Sequence, residues 1–186
     1  YLRWHYRSQD SALIQFSNKH FYEDRLQVIP PPKPEPLNLP PIEWKPVPGS
    51  WSRNTNLAEA QEVVYLIREL LDRPDKPSIG VVTFNYHQQE LIKDLLDAEL
   101  EKLGSESHPH YHRLTEMLVP KGEDEAPDLF IKNIENVQGD ERDIIIFSIA
   151  YAPDLKGKLQ IRFGLLNQEG GANRLNVAIT RARLKI

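Results

Sequence analysis

Apolar residues recur at two periods along this chain, and the switches between them mark its elements. In "NLAEAQEVVYLIRELLDRPDK", Val63, Ile67, Leu70 and Leu71 fall at helical spacing behind Asn56, an N-cap residue, and proline-containing turn chemistry closes the run. "NYHQQELIKDLLDAELEKL" repeats the amphipathic pattern. "SQDSALIQFSNKHFYEDRL" predicts a further helix, with Ala12, Phe16 and Lys19 on one face, Leu13, Ser17 and His20 beside it, and Ser and Asp ahead as caps. "PSIGVVTF" instead reads as a short buried strand, "LFIKNIE" as the next, and the apolar run after "NVQGDERD" as a further strand. "GGANRLNVAITRARLK" reads as a helix after a Gly-Gly hinge. Strand, helix and strand in this order predict a parallel α/β sheet flanked by helices.

Other stretches break the pattern. Nine of the fifteen prolines lie within residues 30–48, where they forbid helix and central strand alike, so an extended surface connection is expected there rather than a ligand for proline-binding modules. Residues 104–128 carry no sustained period and read as a flexible loop. His108, His110 and His112 alternate within it, but no carboxylate arrangement fixes a metal geometry around them, so solvated loop residues are the expectation.

The 186 residues suffice for one sizeable domain. The chain opens on Tyr1 and stops at Ile186 just after "RARLK", as a strand cut short would, and it reads as an excised piece. Cysteine is absent, which removes disulfide frameworks and zinc ribbons and fits a reducing, cytoplasmic setting. The longest apolar run is too short to cross a bilayer, so no membrane partner is expected. A net charge of −4 argues against a basic coat, yet charge is uneven: residues 97–128 hold nine acids and three bases, residues 155–186 seven bases and one acid. A local anion site near the C-terminus is expected.

Three segments carry candidate chemistry. Ligands of open α/β sheets gather at the carboxyl ends of strands, and "VTFNYHQ", "NVQGDERD" and "WHYRS" are placed at such ends. In "NVQGDERD", Gly139 permits close backbone approach and the Glu141 carboxylate accepts hydrogen bonds from hydroxyls such as those of ribose, although the octamer alone reads first as a charged surface turn. In "NRLNVAITRAR", at 100° per residue, Arg181 and Arg183 are expected on nearly opposite sides of a helix. Arg174 and Arg181 would share a face across the small Ala178, fit for a polyphosphate or simply solvated.

In order, "WHYRS" with "FSNKHFY", "SIGVVTFNYHQQELI", "ENVQGDERDIIIFS" and "RLNVAITRAR" resemble motifs IV, IVa, V and VI of superfamily 1 helicases, and the variant resembles the up-frameshift-related branch. "LRWHYRS" and "VQGDERDIIIFS" also look like those of large bacterial helicases that carry nuclease-like domains. The resemblance spans nearly the whole chain and implies the second RecA-like motor domain of a P-loop NTPase-type machine, a helicase or translocase that hydrolyses ATP.

It also implies roles. Tyr6 would stack near adenine and Arg7 would reach the γ-phosphate, both from motif IV. Arg181 would be the arginine finger of motif VI, and Glu141, beside Gly139, would bind ribose. Thr83, Gln88, Asn133 and Gln138 would hold single-stranded DNA or RNA through its phosphates, without reading sequence. His5 stands where many relatives carry Gln, Ser8-Gln9-Asp10 replaces a common Met-His-Pro, and Asn133 stands where a hydroxyl is frequent. In such families ATP lies between two motor domains, the first of the same polypeptide supplying the Walker A lysine and the Mg2+ ligands. No G-x-x-x-x-G-K-[ST] occurs in this chain, so by itself it is expected to be inactive. The alternative is a non-enzymatic nucleic-acid-binding or interaction module using the basic C-terminal segment.

Overall fold

A computed structural model describes residues 4–5, 8, 10–28, 40–104, 108–122, 125–159 and 164–186. Its frame is a parallel sheet of four strands, β3 (Ile79–Thr83), β4 (Leu129–Asn133), β5 (Arg142–Ser148) and β6 (Ala182–Lys185), in the spatial order β4-β3-β5-β6. Two short strands, β1 (Trp4–His5) and β2 (Gln27–Val28), pair in parallel apart from it. The helices are α1 (Ala12–Phe21), α2 (Leu57–Leu71), α3 (Tyr86–Leu103), α4 (Pro109–Leu118) and α5 (Gly171–Ile179).

Alternation along the central strands builds two cores. Ile79 and Val81 of β3 and Leu129 and Ile131 of β4 pack beneath α2, α3 and α4, against Val63, Ile67, Ile92, Leu96, Leu114 and Met117. The intervening Val82, Phe130 and Ile145 face Leu13 of α1 and Ala178 of α5. A strand covered on both faces has no polar side to show, which is why β3 is buried at all five positions. This is the RecA-like layering that the resemblance implies.

Local chemistry explains the element ends. Asn56 and Asn85 each accept a hydrogen bond from the backbone N–H three residues on, capping α2 and α3, and Gly104 closes α3 in the left-handed conformation. At α1 the N-cap is Ser11, whose side chain makes no capping bond, while the Asp10 carboxylate accepts from the Ala12 N–H at 2.8 Å. This helix buries Leu13, Ile14 and Ser17, so the buried stripe is the one beside the expected Ala12–Phe16–Lys19 face, and Phe16 is exposed.

Two expectations are corrected. The stretch 104–128 contains α4: Pro109 sits in its first turn, the His108 ring accepts from the His110 N–H, and Leu114 and Met117, three residues apart, drop into the core. With only two buried positions the helix leaves almost no periodic signal. The histidines do separate jobs: His110 pairs with Asp72 and His112 with Glu116, and no metal-binding group of three acids or histidines occurs among the described residues. Second, the C-terminal helix stops at Ile179, and residues 182–185 join the sheet as β6. Ala182, fully buried, pairs with Arg142 of β5, and β-ladder pairing overrides the helical reading of "TRARLK".

The described part of the Pro-rich segment, from residue 40, has neither helix nor strand, and it lines the open edge of β6. Glu43 N–H donates to Ile186 O at 2.9 Å, Ile186 N–H donates to Pro41 O at 2.8 Å, and Lys185 pairs with Glu43. An exposed ladder edge is thereby covered by a stretch whose prolines oppose further pairing.

The Gly-Gly corner before α5 is a packing requirement. Gly170 is left-handed (φ +80°), and a Cβ on Gly171 would come within 2.1 Å of the Leu166 carbonyl oxygen, a backbone atom that cannot swing aside. Gly171→Ala is expected to destabilise the chain by about 3 kcal/mol through this overlap, measured as a lower denaturation midpoint in urea at unchanged slope.

Candidate functional site

The candidate residues separate to the two ends of the sheet. Each of β3, β4 and β5 begins at one end and finishes at the other. At about 3.3 Å per residue the ends stand about 13 Å apart along β3 and about 20 Å along β5. Thr83, Asn133 and Ser148 are in register at the carboxyl end. Arg142 and Ala182 pair at the amino end, so the residues just before them, Glu141 and Arg181, lie side by side. A backbone hydrogen bond from Arg142 N–H to Arg181 O, 3.1 Å, fixes the two loops to each other. Glu141 and Arg181 are therefore at the end opposite to that expected of the "NVQGDERD" segment. The physical reason is a short return path: after β4, Ile134 and Val137 pack across the sheet face and carry the chain back to the amino end within a few residues.

At the amino end the loop is built around a residue that the sequence did not single out. Arg142 is turned inward and buried, its guanidinium donating to the carbonyls of Glu141 and Pro127 and lying 4.8 Å from the Phe130 ring centroid. Desolvation pushes its pKa below the ordinary guanidinium value, and the nearby Asp140, Asp128 and Asp143 act in the opposite direction. Asp140 is in turn held by Lys132 at 2.7 Å. Arginine two residues ahead of a run of four apolar residues was the available signal, since a charge in ladder register beside buried strands must find internal partners.

Gly139 is exposed with φ +88°, and a Cβ there would meet nothing within 4 Å, so glycine serves the left-handed turn rather than relieving crowding. Glu141 is half-buried beside it. Arg181 leaves the end of α5 with its guanidinium oriented by two bonds, Nε to Val177 O at 2.8 Å and Nη2 to Thr180 Oγ1 at 3.1 Å. The expected face shared by Arg174, Ala178 and Arg181 does not exist as an open surface, because Ala178 is fully buried against the sheet and the helix ends before Arg181. Arg183 lies on β6 and pairs with Asp143 at 3.6 Å, and Asp143 also accepts from Ser78 N–H and Oγ–H at 2.9 and 2.8 Å. The distinction between Arg181 and Arg183 thus comes from turn against strand, not from opposite sides of a helix.

At the carboxyl end, Thr83 and Gln88 are fully buried. Thr83 Oγ1 donates to Asn85 O at 3.0 Å. The Gln88 amide accepts from Asn56 N–H at 2.8 Å and donates to Asn56 O and Ser148 Oγ at 3.2 Å each, while Ser148 Oγ–H and Ala150 N–H both reach Glu59 Oε1. Gln88 ties α2, α3 and β5 together, Thr83 is held to the residue that caps α3, and both side chains are buried among partners within the protein. Asn133 is half-buried, its side-chain oxygen accepting from Glu135 N–H at 3.2 Å, and Gln138 is exposed on the return path. Tyr6 and Arg7 lie outside the described residues.

Gln88→Leu is expected to leave the Asn56 N–H buried without a partner, while the Asn56 C=O keeps its bond from the Ala60 N–H, and to lower stability by about 1–3 kcal/mol, read from the urea midpoint.

Similarity to known proteins bears on the same residues. A family model described as "AAA domain" matches residues 1–186. Over all 186 residues the chain is 39% identical to an uncharacterized ATP-dependent helicase of Mycoplasma genitalium and 37% identical to its homolog in Mycoplasma pneumoniae. The chain spans 15% of the length of each of these relatives.

Proposed function

The chain belongs to the AAA-domain family, and from that membership we propose that it is the second motor domain of an ATP-dependent superfamily 1 helicase or translocase of the up-frameshift-related branch. The single observation that carries this reading is the register of β5 with β6, which brings a carboxylate, Glu141, and a guanidinium, Arg181, together at one end of the sheet. An acceptor for hydroxyls beside a donor fork for phosphate oxygens fits the ribose and phosphate portions of a nucleotide. The names of the Mycoplasma relatives, ATP-dependent helicases, support the same reading.

In this reading ATP supplies a transferable phosphoryl group, bound between this domain and the first motor domain of the same polypeptide, where the Walker A lysine and Mg2+ ligands reside. Glu141 orients the ribose, with Gly139 shaping the turn that presents it. Arg181, pre-oriented by Val177 O and Thr180 Oγ1, places positive charge where negative charge builds on the phosphoryl oxygens. Tyr6 and Arg7 are assigned by resemblance to adenine stacking and the γ-phosphate. Asn133 and Gln138 remain as candidate contacts to single-stranded DNA or RNA, and closure of the two domains moves the strand stepwise. Among the described residues no helix is long and apolar enough to cross a membrane, and we place the machine in the cytoplasm.

Nucleic-acid-stimulated ATPase kinetics on the full-length protein test the assignment. Arg181→Ala is expected to lower kcat by about two orders of magnitude or more with little change in nucleic-acid affinity. Arg183→Ala, which removes a half-exposed partner of Asp143, is expected to leave kcat within a few-fold and shift the melting temperature slightly. Equal small losses at both positions would refute the finger. The isolated 186-residue chain is expected to show no ATPase activity, because it carries no Walker A sequence, and hydrolysis by the purified chain that Arg181→Ala abolishes would refute the division of labour.

A further inference from the structure

Beside the buried carboxyl-end network, two tight turns stand together on the surface, and neither belongs to any motif discussed above. The first spans residues 52–55, closed by mutual backbone hydrogen bonds between Ser52 and Thr55, 2.9 Å each, with Arg53 and Asn54 both left-handed at φ +51° and +64°. The second is a hairpin from Pro153 to Leu159. There the Asp154 carboxylate accepts from the N–H groups of Lys156 and Lys158 at 2.9 Å each, and Gly157 takes φ +76°. Trp51 N–H donates to Pro153 O at 3.1 Å, and the rings of Trp51 and Tyr151 stack at 4.7 Å and 22°. The two turns therefore share one aromatic base. Ala150, just before Tyr151, is a third left-handed non-glycine residue, held there by its hydrogen bond to Glu59.

Arg53, Lys156 and Lys158 are exposed, and their side chains enter no ion pair among the described residues. Asp154 is the acid within the two turns, and it is occupied in holding the hairpin. An arginine in a conformation that L side chains seldom adopt is tolerated only where the surroundings impose it, and such positions concentrate at ligand-binding surfaces. Cations fixed on rigid turns around a half-buried aromatic pair match the chemistry of a nucleic-acid strand, whose phosphates take the charges and whose bases take the rings.

We propose that the paired turns at 52–55 and 153–159 form a backbone clamp for single-stranded nucleic acid, with Arg53, Lys156 and Lys158 on phosphates and the Trp51–Tyr151 stack as its floor. The proposal rests on the helicase reading and adds a contact surface to it. The clamp is sequence-independent, because it offers charge and a stacking face but no fixed amide for base edges.

The test is fluorescence anisotropy of labelled oligo-dT and oligo-U on the full-length protein across a salt series, with Lys156→Gln/Lys158→Gln and Arg53→Gly as variants. The double variant is expected to bind about tenfold more weakly and to lower the slope of log K against log salt by about 1.4, two phosphate contacts' worth. Arg53→Gly removes one cation but suits the left-handed backbone, so it is expected to weaken binding about threefold while melting no lower than the parent. ATP hydrolysis without nucleic acid is expected to be unchanged in both. A double variant with parental affinity and salt slope overturns the clamp while leaving the helicase reading intact. Loss of binding to poly-glutamate without loss for either oligonucleotide also overturns it, assigning the turns to an acidic protein partner. A parent protein that binds neither oligonucleotide overturns both readings.

Discussion

The pairing of β5 with its two neighbours is the constraint from which the arrangement follows. β5 lies between β3 and β6, with Ile79 opposite Ile144 on one side and Arg142 opposite Ala182 on the other. Side chains alternate along a strand, so a slip of one residue would exchange Ile145, which faces α1 and α5, with Ile144 and Ile146. It would also turn the Arg142 guanidinium from its carbonyl partners. The register with β3 thus sets both cores, and the pairing of Arg142 with Ala182, before the register with β6 shifts ahead of Ile144, sets Glu141 beside Arg181.

Arg142 shows how a charged residue can serve inside such a frame. Its burial carries a desolvation cost, and the carbonyls of Glu141 and Pro127 together with the Phe130 ring offset it. Its partners lie on the loop that carries Glu141 and on the segment entering β4, so the buried guanidinium determines where the Glu141 backbone can be. A neutral side chain of the same size would fill the space without fixing that loop. The polar run beside a buried strand is, at its centre, an internal brace with Gly139 and Glu141 displayed outside it.

How far the sequence disclosed this depended on whether a property was local or ladder-dependent. The cap at Asn56 and the buried strands were legible, because a cap is a matter of one side chain and its following amides and a central strand has no polar face. α4 was not, since two buried residues in a stretch of histidines and acids make no period. The end of α5 was legible in two ways: "TRARLK" continues the helical pattern while "RARLK" reads as a strand cut short, and the presence of β5 alongside decides for the strand. Among the site candidates, Thr83 and Gln88 came from the helicase resemblance, as neutral donors for phosphates. Whether such a side chain looks outward or across to Asn56 depends on a helix 32 residues away in sequence, which no local pattern records.

This difference also separates the two ends of the sheet in mechanical terms. At the carboxyl end, the Gln88, Asn56, Ser148 and Glu59 bonds lock α2, α3 and β5 into one block. At the amino end, Glu141 and Arg181 sit on loops joined by the backbone hydrogen bond between Arg142 and Arg181 and braced by the buried Arg142 guanidinium, at the start of the edge strand β6. A network of buried, mutually satisfied polar groups resists displacement, whereas a loop pair at a strand end adjusts by small dihedral changes. The amino-end loops are held by the buried Arg142 guanidinium as well, so both ends are tied to the core. In the proposed motor, two ends tied to one core let domain closure at the nucleotide be delivered to the strand as a whole-body movement.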